Sequence, residues 1–141
     1  EMNEKNKLFS AAFLVSLIIG LASFSIFALI QSAFAPFPVD PTSSVAINLQ
    51  VNAVLYGFSA TLIVYTLKRD DVAMSKSAMM FACSMFISYF ISIAFGLICL
   101  FNAKSMPPLI ALIPVSFTLT GMITTIAFFN STIFKINEKK E

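Results

Sequence analysis

Four long runs without a charged side chain dominate this sequence, at residues 8–34, 44–67, 77–102 and 107–134. Each run exceeds the ~20 residues that an α-helix needs to cross the ~30 Å hydrocarbon core of a bilayer. Apolar residues make up 58% of the chain, and 16 residues are Phe. The pattern predicts an all-α integral membrane protein, a four-helix transmembrane bundle that forms one domain over residues 1–141.

Basic residues lie only at the ends of these runs, and their placement predicts how the helices are oriented. The set expected to face the cytoplasm is Lys5, Lys7, Lys68, Arg69, Lys76, Lys135, Lys139 and Lys140. This arrangement leaves Lys104 alone outside, which follows the positive-inside rule for short loops. Both termini are therefore expected to be cytoplasmic, and the expected location is the cytoplasmic membrane of a prokaryote.

The third run places a small residue at every fourth position: Ser84, Ser88, Ser92 and Gly96. A helix turns about 100° per residue, so these four residues form one slowly winding stripe. In lipid, small residues mark the side on which another helix approaches closely. The stripe predicts a helix contact within the chain or with a second copy, and a row of hydroxyls lining a narrow pore is the alternative.

Small residues share one face on each of the other three runs as well. The predicted packing residues there are Ser16, Gly20, Gly57, Thr120 and Thr124. These seams predict close helix contacts, and docking against copies of the chain or against other membrane subunits is the functional interpretation.

The second run is the most polar of the four. Its polar face carries Asn48, Asn52, Tyr56 and Ser59, which fall within a narrow sector of the helical wheel. Gln31, at the outer end of the first run, is expected to lie near the two asparagines across the hairpin. These residues predict a vestibule for an ion or a neutral solute. Interhelical hydrogen bonding, at ~0.6 kcal/mol per contact, is the structural alternative.

Catalytic and metal chemistry find little support in this composition. The chain has no His, and its apolar runs contain no acidic or basic side chain, so metal ligation and acid–base catalysis are not expected. Both cysteines, Cys83 and Cys99, lie in the third run about 24 Å apart along a helix, too far to form a disulfide with each other. No enzyme activity, cofactor or bound metal is predicted, and without a basic cluster among aromatics no nucleic-acid partner is predicted either.

Two functional hypotheses remain from the sequence. The first is a small non-enzymatic membrane subunit that assembles with itself or with a larger complex. The second is a small oligomeric channel or transporter lined by the amides of the second helix, because four helices seldom enclose a wide aqueous path alone.

Overall fold

Four long helices make up almost all of the part of the chain that is described. The computed structural model describes residues 3–34, 41–68, 74–102, 105 and 107–138, and for residues 34, 41 and 133–138 it describes the backbone alone. The helices are α1 (Glu4–Phe34), α2 (Pro41–Leu67), α3 (Lys76–Phe101) and α4 (Leu112–Glu138). The prediction of four helices is confirmed, and the first three begin within a few residues of their predicted starts.

Local capping explains where α3 begins and ends. Ser75 has extended backbone angles (φ −74°, ψ 156°), and its side chain accepts a hydrogen bond from the backbone N–H of Ala78. This is the standard way to satisfy a free N–H in the first turn of a helix. At the other end, the backbone N–H of Asn102 donates to the carbonyl of Ile98.

The start of α4 differs from the prediction. The apolar run begins at Pro107, yet residues 107–111 form successive turns with bonds such as Ile110 N–H to Pro107 O, and the α-helix begins at Leu112. A helix starting at Pro107 would place Pro114 about two turns inside it, where a proline is expected to kink the helix; in the structure Pro114 is the third residue of α4. The first N–H groups of a helix have no intrahelical acceptor, so Pro114 costs no hydrogen bond there.

Helices α3 and α4 form the centre of the bundle. They are the most extensively packed pair, and both α1 and α2 contact each of them. Within the described ranges α1 and α2 do not contact each other. The two outer helices therefore occupy opposite grooves of the α3–α4 pair.

The interior is rich in hydroxyl groups, whereas large apolar side chains cover the outside. Fully buried residues include Ser16, Ser84, Ser88, Thr120 and Thr124. Exposed ones include Leu14, Ile18, Leu29, Val54, Phe58, Phe90 and Phe101. This distribution suits a bundle whose solvent is lipid, because lipid does not drive apolar side chains inward and small residues allow close packing. All four helices are long and apolar enough to cross a membrane, which indicates a multi-pass membrane protein.

The apolar cluster of the bundle interior lies near the start of α3 and toward the end of α4, and it comprises Ile63, Ala78, Ala82, Met85, Tyr89 and Phe128. Buried serines and threonines lie beside this cluster and also toward the other end of the bundle, where Ser92, Ser116 and Thr118 are buried. The start of α2 lies at this second end, since Asn48 contacts Thr118.

Candidate functional site

The stripe from Ser84 to Gly96 contacts three different helices, and helix geometry explains why. Four residues advance a helix by about 400°, so each member of the stripe is rotated by about 40° from the one before it. Ser84 and Ser88 accordingly meet α1, Ser92 meets α4, and Gly96 meets α2. All four are buried inside the chain, so its own helices supply the partner that the sequence left open.

The α1 contact is a cluster of three serines. Ser16 Oγ lies 2.9 Å from the carbonyl oxygen of Ser84 and 2.8 Å from Ser84 Oγ. Ser88 Oγ lies 3.1 Å from Ser16 Oγ and 2.8 Å from the Ser84 carbonyl. Because all three side chains are completely buried, these bonds join α1 to α3 without contact with solvent.

The α4 and α2 contacts lie further along α3. Ser92 Oγ lies 2.6 Å from the carbonyl oxygen of Pro114 and 2.8 Å from Thr118 Oγ1. At Gly96, an added Cβ would lie 2.7 Å from Cδ2 of Leu49, so α2 approaches α3 closely at this glycine. Through Ser92 and Gly96, α3 thus contacts both the start of α4 and the part of α2 that carries the asparagines.

The remaining predicted packing residues divide into two groups. A Cβ at Gly20 would lie 2.7 Å from Cε1 of Phe117, and Thr120 and Thr124 are fully buried, so these three lie at close helix contacts. Gly57 differs, because it is exposed and no described side chain lies within 4 Å of a Cβ placed there. Gly57 therefore makes no close helix contact among the described residues, and its packing role stays a prediction.

The polar face of α2 points into the groove between α3 and α4. Thr118 Oγ1 lies 3.2 Å from Asn48 Oδ1, and Thr125 Oγ1 lies 3.4 Å from Ser59 Oγ, so these two residues of α2 face α4. On the other side, Leu49 reaches Gly96 of α3. On a helical wheel, Asn52 lies about 40° from Asn48 and about 60° from Leu49. Asn52 therefore points between the two central helices.

Asn52 is the least satisfied polar group of this site. Its side chain is fully buried, and within the described part of the chain neither its Oδ1 nor its Nδ2 has a hydrogen-bond partner. Asn48 is half-satisfied, since its Nδ2 is buried and also without a partner among the described residues. Leaving a buried polar atom unpaired costs about 1–3 kcal/mol, so two adjacent amides in this state need an explanation.

Two further residues of the predicted polar set lie elsewhere. Gln31 is exposed on α1, a helix that makes no contact with α2 in the described ranges, so the structure does not bring it near the asparagines. Tyr56 is 39% exposed, and its ring makes edge-to-face contacts with Phe86 and Tyr89 at centroid distances of 5.7 and 6.2 Å. Tyr56 therefore packs against aromatic side chains of α3.

Sequence reasoning missed the residues of α4 that face α2. Thr118 and Thr125 are seven residues apart, so they share a face with each other and with Gly121 between them. A Cβ at Gly121 would lie 2.7 Å from Cε1 of Tyr89, so the ring of this α3 residue packs directly against α4 at the level of the site. A search of α4 for a second small, polar face would have found all three.

Charged and thiol groups take no part in the site. The pair formed by Lys76 Nζ and Glu4 Oε1, 3.1 Å apart, lies on the surface where α1 and α3 begin. Both cysteines are free thiols, with Cys99 buried and Cys83 partly buried. Over the described residues, no three His, Cys, Asp or Glu side chains come close enough together to hold a metal ion. The site is uncharged and consists of amides, hydroxyls and backbone carbonyls.

Known proteins offer no guide to this site. No protein-family profile, curated protein or solved structure matches the chain. The chemistry of the site therefore follows from its own side chains.

Proposed function

We propose that this protein is a non-enzymatic channel or carrier of the cytoplasmic membrane that admits a small polar solute to a site between α2, α3 and α4. The observation that carries the proposal is Asn52, a fully buried amide whose oxygen and nitrogen both lack a partner among the described residues. A polar residue that served only to hold two helices together would form a hydrogen bond across their interface, as Ser16 does with Ser84. The unpaired amide instead suits a group that pairs with a ligand.

The distribution of surface groups supports insertion in a membrane with both termini in the cytoplasm. The ion pair between Glu4 and Lys76 joins the starts of α1 and α3, consistent with both helices beginning on one side of the membrane. Lys68 is exposed at the end of α2, next to this side. Three basic residues that favour this orientation, Arg69, Lys139 and Lys140, lie outside the described residues and contribute through their sequence positions. A fluorescent protein fused to the C-terminus is expected to fluoresce, as it does only in the cytoplasm; a dark fusion at full expression would reverse the orientation.

Access to the site is proposed from the outer face. The asparagines lie in the first half of α2, and buried members of the apolar cluster, Met85 and Phe128, lie between them and the cytoplasmic end. Release of the solute on the inner side then requires side chains of this cluster to move.

Solute flux through proteoliposomes tests this function. Full-length protein reconstituted in vesicles is assayed with a panel of urea, acetamide, glycerol and K⁺, and at least one of them is expected to cross faster than through protein-free vesicles. Asn52→Leu should abolish the added flux, whereas Gln50→Leu, the same chemical change at an exposed position of α2, should not. The proposal fails if no solute crosses faster, or if both variants behave alike.

Assembly with other membrane proteins is the second candidate function, and one face of α2 favours it. Gly57 and Ala53 are exposed, with no described group close to Gly57, so a helix of another chain can approach here. Gly57→Phe is expected to leave the fold intact and reduce the mass of an assembly extracted gently from its membrane. Unchanged mass would remove this candidate. Substitutions at Ser88 or Gly96 do not test it, because both residues are buried within the chain.

A further inference from the structure

The two asparagines of α2 define what kind of solute the site accepts. Asn48 and Asn52 are one helical turn apart on the same face, with about 6 Å between their Cβ atoms. Asn48 contacts Thr118 and Ser59 contacts Thr125, so α2 and α4 run in the same direction. Asn52 is therefore level with Gly121 of α4. The two amide groups therefore form a short row on the face of α2 that lies against α3 and α4.

Asn52 offers both a donor and an acceptor. A primary amide carries its carbonyl oxygen and its N–H groups in one plane, and in Asn52 both ends lack partners within the described chain. Exchanging the oxygen and nitrogen of this side chain leaves the same two groups facing the site. For Asn48, one end bonds to Thr118 and the other end is unpaired in either orientation. The required ligand thus both accepts and donates hydrogen bonds.

We infer that the solute is a small neutral molecule of the amide or urea class. Such a molecule pairs with Asn52 through two parallel hydrogen bonds, with its carbonyl oxygen accepting from Asn52 Nδ2 and its own N–H donating to Asn52 Oδ1. The unpaired end of Asn48 then adds a third bond. This inference rests on the proposed function, since it names the substrate class of the same site.

Ions fit the site poorly for electrostatic reasons. The four apolar runs contain no acidic or basic residue, so the charge of a bound ion would have no counter-charge within the membrane. A cation also needs several oxygen ligands. The hydroxyls of Ser92 and Thr118 already contact the Pro114 carbonyl and each other, and the amide N–H groups would repel a cation.

Permeability ratios of the reconstituted protein test the inference. Light scattering after osmotic shock measures the entry of urea, acetamide and glycerol and the flow of water, with K⁺ flux as the ionic arm. Urea and acetamide are expected to enter about tenfold faster than glycerol relative to protein-free vesicles, because glycerol's hydroxyls do not hold a donor and an acceptor in the fixed plane that matches both ends of the Asn52 amide. Asn52→Leu should lower this ratio by about tenfold, the factor expected from loss of paired hydrogen bonds. Gln50→Leu should leave it unchanged.

Each other outcome has a distinct meaning. If glycerol or K⁺ flux depends on Asn52 and urea flux does not, the substrate class is wrong although the proposed function stands. If only water flow depends on Asn52, the site holds water and the inference is overturned. If no flux depends on it, both proposals fail. Asn52→Ala, which is smaller and cannot clash, repeats the measurement should the Leu variant lose its far-ultraviolet helical signal.

Discussion

Replacing Gly121 by Ala tests how closely α3 and α4 pack beside the site. A Cβ at this position would lie 2.7, 2.8 and 2.9 Å from Cε1, Cζ and Cδ1 of Tyr89, whereas ordinary contacts begin at 3.4 Å. Tyr89 is only 1% exposed, and a ring packed at core density moves only if its neighbours move. Overpacking of this kind costs about 1–3 kcal/mol of unfolding free energy.

Gly57→Ala supplies the matched control, because Gly57 is helical and has no described atom within 4 Å of the new Cβ. Both substitutions gain about 1 kcal/mol of helix propensity, so this contribution cancels when the two variants are compared. Gly57→Ala is expected to stabilise the protein by up to about 1 kcal/mol. Gly121→Ala should be less stable than Gly57→Ala by about 1–3 kcal/mol.

A third glycine makes the comparison quantitative. At Gly96 the new Cβ would meet Leu49 Cδ2 at 2.7 Å, but this atom is the end of a flexible side chain that can rotate away. Gly96→Ala should therefore fall between the other two variants. Chemical unfolding in detergent, followed by the helical circular dichroism signal, gives the three free energies. If Gly121→Ala proves as stable as Gly57→Ala, the packing of Tyr89 on α4 is refuted.

Three further predictions concern individual side chains. In ligand-free protein, Asn52→Leu should raise the unfolding free energy by about 1–3 kcal/mol, because it removes buried amide atoms without described partners. The control Gln50→Leu changes an exposed side chain and should alter the unfolding free energy by less than about 0.5 kcal/mol. An Asn52→Leu variant that is less stable than wild type would contradict this. Ser16→Ala should lower the unfolding free energy by about 1 kcal/mol, because its hydrogen bonds to α3 are lost. Ser25→Ala should have no effect, because the Ser25 hydroxyl bonds only to its own helix. Equal effects of the two substitutions would contradict the serine cluster. Lys76→Gln should leave stability unchanged at low and high salt, since its ion pair is largely exposed; a salt-dependent loss would contradict this.

Hydropathy predicted the number and type of helices because membrane thickness sets a minimum length for an apolar helix. It could not predict the start of α4. Residues 107–111 are mostly apolar, yet they form turns, because the choice between turn and helix there depends on local backbone bonds such as Ile110 N–H to Pro107 O. Apolar character determines which residues suit the membrane, and it leaves the first turn of a helix undetermined.

The error at Gln31 has a different origin. Consecutive helices are usually neighbours, which made a contact between α1 and α2 the simplest expectation. In this bundle α3 and α4 occupy the centre and separate the two outer helices. The small residues of the stripe on α3 predicted close helix contacts. They did not predict which helix each residue meets, because that depends on where α1, α2 and α4 lie around α3.

Hydroxyl and amide side chains differ in a way that separates packing from function in this bundle. A serine or threonine in a helix can donate its single proton to a carbonyl one turn earlier, as Thr120 does to Ser116 and Thr124 does to Thr120. Such residues can be buried at little cost, so their abundance in the core does not indicate a ligand. An amide has a carbonyl as well as an N–H₂ group, and a bond to its own helix backbone still leaves its oxygen unpaired. For this reason Asn52, rather than the longer row of serines, carries the functional proposal.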